Sequence, residues 1–333
     1  MKKILLIGTG GTIASEVTGD GLAPELTSQQ LLSNIPSISA FCDADCIQLL
    51  NLDSTNMAPC HWLRIAKCLE EHYGEYDGFV ITHGTDTMAY TAAGLSYLVR
   101  GSAKPIVLTG AQKPMGFDST DSKDNLSDAF RVASSDVPGV SIVFNHKVIL
   151  GTRAQKTHSK SFQAFSSINY PYLGVLRDGV LLSYIRPDSL PAPVFSEKLD
   201  TRVGLLKMTP GADRTLLDFQ LEHNDGLIIE SFGVGGLPDG GFVDSVQRGM
   251  EAGKTLVLTT QVQNEGSDLT VYQVGHRLKD TLGVLEAYDM TTEAVLAKLM
   301  WILAKTGDRG EIQRLFYTPV AHDILWPAAK DKA

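Results

Sequence analysis

The chain has 333 residues, 43% hydrophobic and 20% charged, which excludes a disordered chain and leaves length for two cores. Its net charge is −9, with 29 Lys and Arg against 38 Asp and Glu. No basic run occurs, which argues against nucleic-acid and anionic-membrane partners. No apolar stretch approaches a membrane span, and the apolar run at 4–7 is too short for a signal-peptide core, so a cytoplasmic location is expected.

Residues 3–7 read as a first strand, followed by Gly8-Thr9-Gly10-Gly11-Thr12-Ile13-Ala14. A dinucleotide fingerprint needs a third glycine where Ile13 stands and a helix afterwards. Residues 15–24 instead read as a polar, Gly-containing loop, so no nicotinamide or flavin cofactor is expected. The glycines strip side chains from the turn and leave Thr9 and Thr12 as its hydroxyls, each a candidate nucleophile. A hydroxyl bonded to its own backbone is the ordinary alternative. A short helix at 26–32 has Thr27 as N-cap. A second strand at 46–51 ends in Asp53-Ser54-Thr55-Asn56, and Pro59 starts a helix to about 73 with Trp62, Ile65, Ala66 and Leu69 on one face.

Residues 77–88 read D-G-F-V-I-T-H-G-T-D-T-M. Phe79, Val80 and Ile81 make a buried strand, the next residues a polar turn, and 88–99 a helix. One capping residue would account for one polar side chain there, not for four. A strand at 105–108 ends in Thr109-Gly110-Ala111-Gln112. A helix follows at 121–134, then a hairpin at 139–151 with Arg153-Ala154-Gln155-Lys156 just beyond it. Four strand ends thus carry small polar residues (Thr12, Ser54, Thr85 with Asp86, and Gln112), and ligands bind at the carboxyl ends of strands in such sheets.

The three prolines between 186 and 201 suggest a linker. Beyond it, strands at 203–208, 226–230 and 255–258 alternate with helices near 213–222, 243–252, 271–280, 292–304 and 309–316. The Gly-rich stretch 233–241 reads as a mobile loop beside an interface. The predicted class is α/β: a larger N-terminal, doubly wound, mostly parallel sheet domain (1–185), a linker (186–202) and a smaller C-terminal α/β domain (203–333). The four cysteines, at 42, 46, 60 and 68, match no zinc spacing and read as free thiols, so no metal is expected.

Without a metal or cofactor signature, hydrolysis or acyl transfer is the natural class. A lysine beside Thr85 and Asp86 would serve as general base once it has given up its proton, which burial or a nearby positive charge promotes. Backbone amides of the Gly-rich turns would hold an oxyanion, one such donor being worth about 3 kcal/mol. A carboxylate among hydroxyls suits an amino-acid substrate.

These stretches resemble the bacterial-type L-asparaginases of the asparaginase/glutaminase family, and among them the cytoplasmic type I enzymes. Leu6 to Ala14 matches the family's first signature, Gly78 to Met88 its second, and Asp53-Ser54-Thr55 its substrate loop. Gly151 to Lys156 matches the segment bearing the family lysine, and Asp289-Met290-Thr291 with Glu293-Ala294 a C-terminal element. The similarity spans nearly the whole chain. It implies hydrolysis of L-asparagine to L-aspartate and ammonia without metal or cofactor. Thr12 would be the acylated nucleophile, and Thr85, Asp86 and Lys156 a second triad. Asp53, Ser54, Thr55, Thr85, Asp86 and the Ala111 backbone would hold the substrate. A homodimer or homotetramer is also implied.

Two departures stand out. Many members carry a tyrosine in the loop after the first motif, but here residues 16–24 hold none and Leu22 stands near its place. Tyr272 matches a tyrosine that some type I relatives use instead. Certain type I enzymes bind a second asparagine through an arginine where this chain has Glu230, so no allosteric site is expected. The alternatives are a broad glutaminase-asparaginase, the amidase subunit of a tRNA-dependent amidotransferase, and a non-catalytic amino-acid-binding module. The second is discounted here because it carries an extra N-terminal domain for which this chain leaves no room. The third would not need Lys156 together with both threonines.

Overall fold

A computed structural model describes residues 1–18, 21–24, 26–238 and 240–325, with backbone alone for 16–18 and 21–24. The chain divides into two compact units, Met1–Glu197 and Lys198–Ala333. The first is built on an eight-stranded sheet. Its strands are β1 (Lys2–Gly10), β2 (Cys42–Leu52), β3 (Gly78–Thr82), β4 (Pro105–Thr109), β5 (Gly139–Phe144), β6 (Lys147–Leu150), β7 (Gly174–Arg177) and β8 (Val180–Ser183). The spatial order is β8-β7-β6-β5-β4-β3-β1-β2. Strands β1 to β5 run parallel, and β6 to β8 extend the sheet antiparallel.

Both faces of the parallel part are covered, which is why its strands are apolar without alternation. Ile4 to Ile7, Phe79 to Ile81 and Ile106 to Leu108 have no solvent exposure. On one face Leu31 of α1 (Ser28–Ser33) and Leu126, Ala129 and Phe130 of α4 (Ser122–Ala133) join Ile4, Leu6, Val80 and Val107 in one core. On the other, Tyr73 at the end of α2 (Pro59–His72) stacks on Phe79 with ring centroids 6.0 Å apart. There α2 packs on α3 (Met88–Leu98) so closely that a Cβ on Gly94 would lie 2.7 Å from the Trp62 ring. Each such buried Leu or Ile contributes about 2–3 kcal/mol, as an upper estimate.

The sheet order explains where a site can form. The sequence β2-β1-β3-β4-β5 leaves β1 with its chain successor on one side and β3 on the other. The connections therefore leave in opposite directions and open a crevice at the carboxyl ends of β1 and β3.

Local differences from the sequence expectation have physical reasons. The loop expected at 15–24 forms an antiparallel ribbon, Ser15–Thr18 with Gly21–Pro24; residues 19, 20 and 25 lie outside the described structure. Strand β2 starts four residues earlier than expected, because Lys2 to Gly8 of β1 pair along Cys42 to Gln48 and carry the ladder past the polar Asp43 and Asp45. Thr27 caps α1 in a reciprocal capping box with Gln30, as its position suggests. The Pro-rich stretch at 186–202 is not free chain throughout, since Val194–Phe195 pair with Val99–Arg100.

The second unit holds a four-stranded parallel sheet of β9 (Val203–Lys207), β10 (Gly226–Ser231), β11 (Thr255–Thr260) and β12 (Leu285–Glu286) in that order. Leu217 and Leu221 of α5 (Arg214–His223) and Val246 and Met250 of α6 (Phe242–Glu251) pack on Leu227, Ile229, Leu256 and Leu258. Helices α7 (Thr292–Leu303) and α8 (Arg309–Tyr317) complete it, with a fully buried ion pair of 2.7 Å between Lys298 and Asp323. The helix expected at 271–280 is only Gln273–His276 followed by a π-turn at Arg277–Thr281. A side chain on Gly275 would collide with the Leu269 carbonyl, so this turn depends on a glycine. Residue 239 of the Gly-rich 233–241 stretch lies outside the described residues. The four cysteines are free thiols. No helix among the described residues is long and apolar enough to cross a membrane.

Candidate active site

The first motif leaves β1 through two glycines with positive φ, Gly10 at 102° and Gly11 at 84°. The Gly11 N–H donates to the Leu52 carbonyl at 3.0 Å, which lays the turn on the end of β2. Thr12 then starts a single 3-10 turn, Thr12–Ala14. It is partly exposed, and no hydrogen bond within the described residues engages its hydroxyl. Thr9 is buried and donates to the Thr82 carbonyl at 2.7 Å, so it holds β1 to β3 and offers no free hydroxyl.

The second motif meets the first directly. A Cβ on Gly11 would lie 2.5 Å from Gly84 Cα and 2.7 Å from the His83 carbonyl carbon. The residue before Thr12 thus rests on the residue before Thr85, an approach only glycine permits. The same Gly84 lies against Ser54, whose Oγ would be 2.5 Å from a Cβ there. Thr87 Oγ1 donates to the Ser54 carbonyl at 2.8 Å. Three turns, from β1, β2 and β3, are therefore packed backbone to backbone.

Within the β2 turn, Asp53 Oδ1 accepts from the Thr55 N–H at 2.9 Å and from Thr55 Oγ1 at 3.0 Å. Ser54 is buried while Asp53 and Thr55 are exposed. Thr55 spends its hydroxyl on Asp53, which leaves Asp53 and Ser54 as the available polar groups of this loop.

Lys156 comes from a separate antiparallel ribbon in which Ala154–Lys156 pair with Phe165–Ser167. Its Nζ lies 2.8 Å from Thr85 Oγ1 and 2.7 Å from Asp86 Oδ1. Thr85 is 5% exposed and donates its own proton to Gln112 Oε1 at 3.2 Å. Lys156 is mostly covered, and Asp86 keeps 59% of its side chain in solvent. The carboxylate thus has one oxygen on the ammonium and a face left for a ligand.

Several contributors are not visible as motifs. Asp121 accepts from the Gln112 N–H through both oxygens (3.1 and 3.0 Å), from the Lys113 N–H at 3.1 Å and from Asn125 Nδ2 at 3.0 Å. Asn125 Nδ2 also donates to the Gly110 carbonyl at 3.0 Å. These two residues of the α4 region hold the turn that carries Ala111, fully buried, and Gln112. The only sequence signal for them is the Asp-x-x-x-Asn spacing at the start of a helix. His83 is fully buried, and burial pushes its imidazole pKa down to about 4, against the pull of the Gly84 carbonyl. In the unfolded chain it would titrate near 6.5. As pH falls below 6.5 the unfolded state gains a proton that the folded state refuses, so stability present above that pH is lost progressively. At pH 5 the expected loss from this group is about 2 kcal/mol. Urea midpoints of wild type and His83→Asn at pH 7.5 and pH 5 measure it; parallel losses in the two would contradict it.

Tyr272 lies in the second unit. It precedes the short helix with extended backbone and is 60% exposed. Glu230, at the end of β10, accepts from Thr292 Oγ1 at 2.7 Å and lies 3.8 Å from Lys207 Nζ. A cavity of about 430 Å³ in this unit, beside Lys254 and Arg309, holds none of these side chains. Among the described residues no group of three or more His, Cys, Asp or Glu is placed to hold a metal ion.

Residues 3–187 match the family described as asparaginase, N-terminal, and residues 202–316 the glutaminase/asparaginase C-terminal domain. The chain belongs to the asparaginase family. It is 39% identical over 327 residues to an L-asparaginase of Thermococcus kodakarensis, covering 97% of this chain and 99% of that one. The structure of the thermostable L-asparaginase from that organism superposes with a TM-score of 0.91 at 37% identity, over 98% of this chain and 100% of that one. A structure described as a probable cytoplasmic L-asparaginase of Campylobacter jejuni gives 0.84 at 29% identity, over 95% and 99%. A glutamyl-tRNA(Gln) amidotransferase subunit of Pyrococcus horikoshii is 34% identical over 337 residues, 96% of this chain and 76% of that one. The asparaginase fold thus accounts for both units.

Proposed function

We propose that the chain hydrolyses L-asparagine to L-aspartate and ammonia through an ester on Thr12. The observation that carries this reading is the packing of Gly11 on Gly84. It brings a hydroxyl that no described residue engages beside a turn whose own hydroxyl is already bonded to an amine. In the first step Thr12 Oγ1 attacks the side-chain amide carbon, its hydroxyl proton passes to the amide nitrogen, the C–N bond breaks, and the nitrogen leaves as ammonia. Water then cleaves the ester, releasing aspartate and restoring Thr12. Thr85, Lys156 and Asp86 form the relay beside the reacting carbon. Lys156 exchanges a proton with Thr85 Oγ1, and Asp86 compensates the charge on Nζ. Asp86 also offers its free oxygen to the α-ammonium group, with Asp53, Ser54 and the Ala111 backbone around the α-groups and Thr55 holding the Asp53 carboxylate in place.

Ammonia release from asparagine by the purified protein tests the activity. Acid-quenched enzyme caught in turnover should carry an aspartyl ester on the peptide containing Thr12; an ester on the Thr85 peptide would reverse the assignment. Asparagine and glutamine compared side by side measure selectivity, where one methylene is worth about 1–3 kcal/mol. The glutaminase/asparaginase description of the C-terminal match keeps the broader specificity as the second reading.

Three finer assignments accompany this proposal. Tyr272, 60% exposed, is the phenol proposed in place of the loop tyrosine that residues 16–24 lack. Tyr272→Phe is then expected to lower kcat about 100-fold with little change in stability, and an unchanged kcat would rule the role out. Glu230, already bonded to Thr292, would repel a ligand carboxylate. Hyperbolic velocity curves with asparagine are therefore expected, and sigmoidal ones would contradict the absence of an allosteric site. A cytoplasmic homodimer or homotetramer is the assembly this reading favours, and sizing in solution checks it.

A further inference from the structure

His83 opens the second motif, is fully buried, and takes no part in the steps above. Its ring has two polar neighbours. Nδ1 lies 2.7 Å from the Gly84 carbonyl oxygen, and Nε2 lies 2.8 Å from Thr91 Oγ1. A carbonyl oxygen only accepts, so Nδ1 carries the proton. Burial keeps the ring from taking a second proton near neutrality, so Nε2 presents a lone pair and the Thr91 hydroxyl donates to it. Both ring nitrogens are thereby assigned by their surroundings.

The consequence falls on the next peptide. The Gly84–Thr85 peptide is trans and planar, so its C=O and N–H point in opposite directions. With the carbonyl drawn to a buried imidazole, the Thr85 N–H is turned away from that buried side. Among the described residues it meets no acceptor. Gly84 is also the residue on which both Gly11 and Ser54 rest, so a rotation of this peptide would be felt by all three turns.

We propose that His83 is a positioning residue whose neutral, Nδ1-protonated ring clamps the Gly84 carbonyl and so aims the Thr85 N–H at the oxygen of the reacting amide. This rests on the amide-hydrolysis reading given above. The clamp is a matter of which nitrogen bears the proton, so it is distinguishable from a ring that merely fills space. Asn carries its amide nitrogen near the position of Nδ1, whereas Gln reaches the position of Nε2.

Two measurements test it. Nitrogen-15 NMR of histidine-labelled wild type, with His83 assigned by its loss in His83→Asn, is expected to show a protonated Nδ1 and an unprotonated Nε2 at pH 7. An Nε2-protonated ring or an imidazolium would overturn the clamp. In asparagine hydrolysis, His83→Asn should keep kcat within about fivefold of wild type, and His83→Gln should lower it about 30-fold with KM within about threefold. Equal losses in two variants of equal thermal stability would overturn the proposal, because a space-filling role does not distinguish the two nitrogens. If neither variant folds, His83 is assigned instead as the histidine that stays neutral at pH 5, and the wild-type spectrum decides. Wild type that releases no ammonia would overturn the hydrolysis reading instead, and the spectrum still judges the clamp on its own.

Discussion

Lys156→Met is expected to lower kcat for asparagine by at least about 10³-fold while leaving the fold intact. Nζ is the only cation bonded to Thr85 Oγ1 among the described residues, at 2.8 Å, and methionine keeps the unbranched stem while deleting the amine. The partner left behind, Asp86, is 59% exposed, so losing its ion pair costs stability of less than about 1 kcal/mol. Activity and stability should therefore separate cleanly, with circular dichroism and melting temperature close to wild type. A kcat within tenfold of wild type would remove Lys156 from the relay and leave Thr85 without a proton partner other than Gln112.

The second large effect is expected at a residue with no side chain. Gly11→Ala places a Cβ 2.5 Å from Gly84 Cα on a residue with φ of 84°. Positive φ costs an alanine about 1–2 kcal/mol, and forced overpacking about 1–3 more. Relief requires the Thr12 turn to move off the Thr85 turn. A displacement of about 1 Å between reacting groups costs on the order of 10²-fold in rate. The expected variant is therefore folded but destabilised by about 2–5 kcal/mol, with kcat/KM for asparagine down about 100-fold. A fully active and stable variant would mean that the two turns are not in contact in the working enzyme. The two predictions probe different links. The lysine variant tests the chemistry at one atom, and the glycine variant tests the packing that brings two motifs together.

The two threonines also differ in a way that bears on their order of action. Thr12 has a hydroxyl with no partner among the described residues, whereas Thr85 sits between Lys156 and Gln112. In the proposed mechanism Thr85 passes protons through Lys156 and Thr12 carries the ester, and the acid-quenched peptide decides between the two threonines.

Much of this was legible in the chain because it depends on near neighbours. The uninterrupted apolar runs 4–7, 79–81 and 106–108 announce strands buried on both faces, and they are. Thr27 announces an N-cap, and it caps the helix, with Gln30 reciprocating. Small polar residues crowd four strand ends, a concentration that no cap explains. Other features were out of reach because they arise from residues far apart in the chain. The ribbon carrying Lys156 pairs residues about ten apart without a hydrophobic alternation to mark it. The β7–β8 hairpin does carry a local signal, the Asp178-Gly179 turn with φ of 51° and 72°, whereas the pairing of β7 with β6 joins Gly174 to the distant Val148 and leaves none. The helix expected near 271–280 spans only Gln273–His276, so Tyr272 precedes it as the N-cap residue.

Composition, glycine spacing and apolar periodicity are sufficient for the strand-turn-helix units, since each is stabilised by contacts within a few residues. They do not say which turns touch. That follows from β1 lying between β2 and β3, which seats Gly11 on Gly84 and Gly84 on Ser54. It also follows from long-range polar bonds such as Lys156 to Thr85 and Thr87 to Ser54, whose partners only the folded chain brings together. A hydrogen bond between groups separated by tens of residues has no local free energy to leave a trace in the sequence, so its geometry exists only once the strands have been ordered.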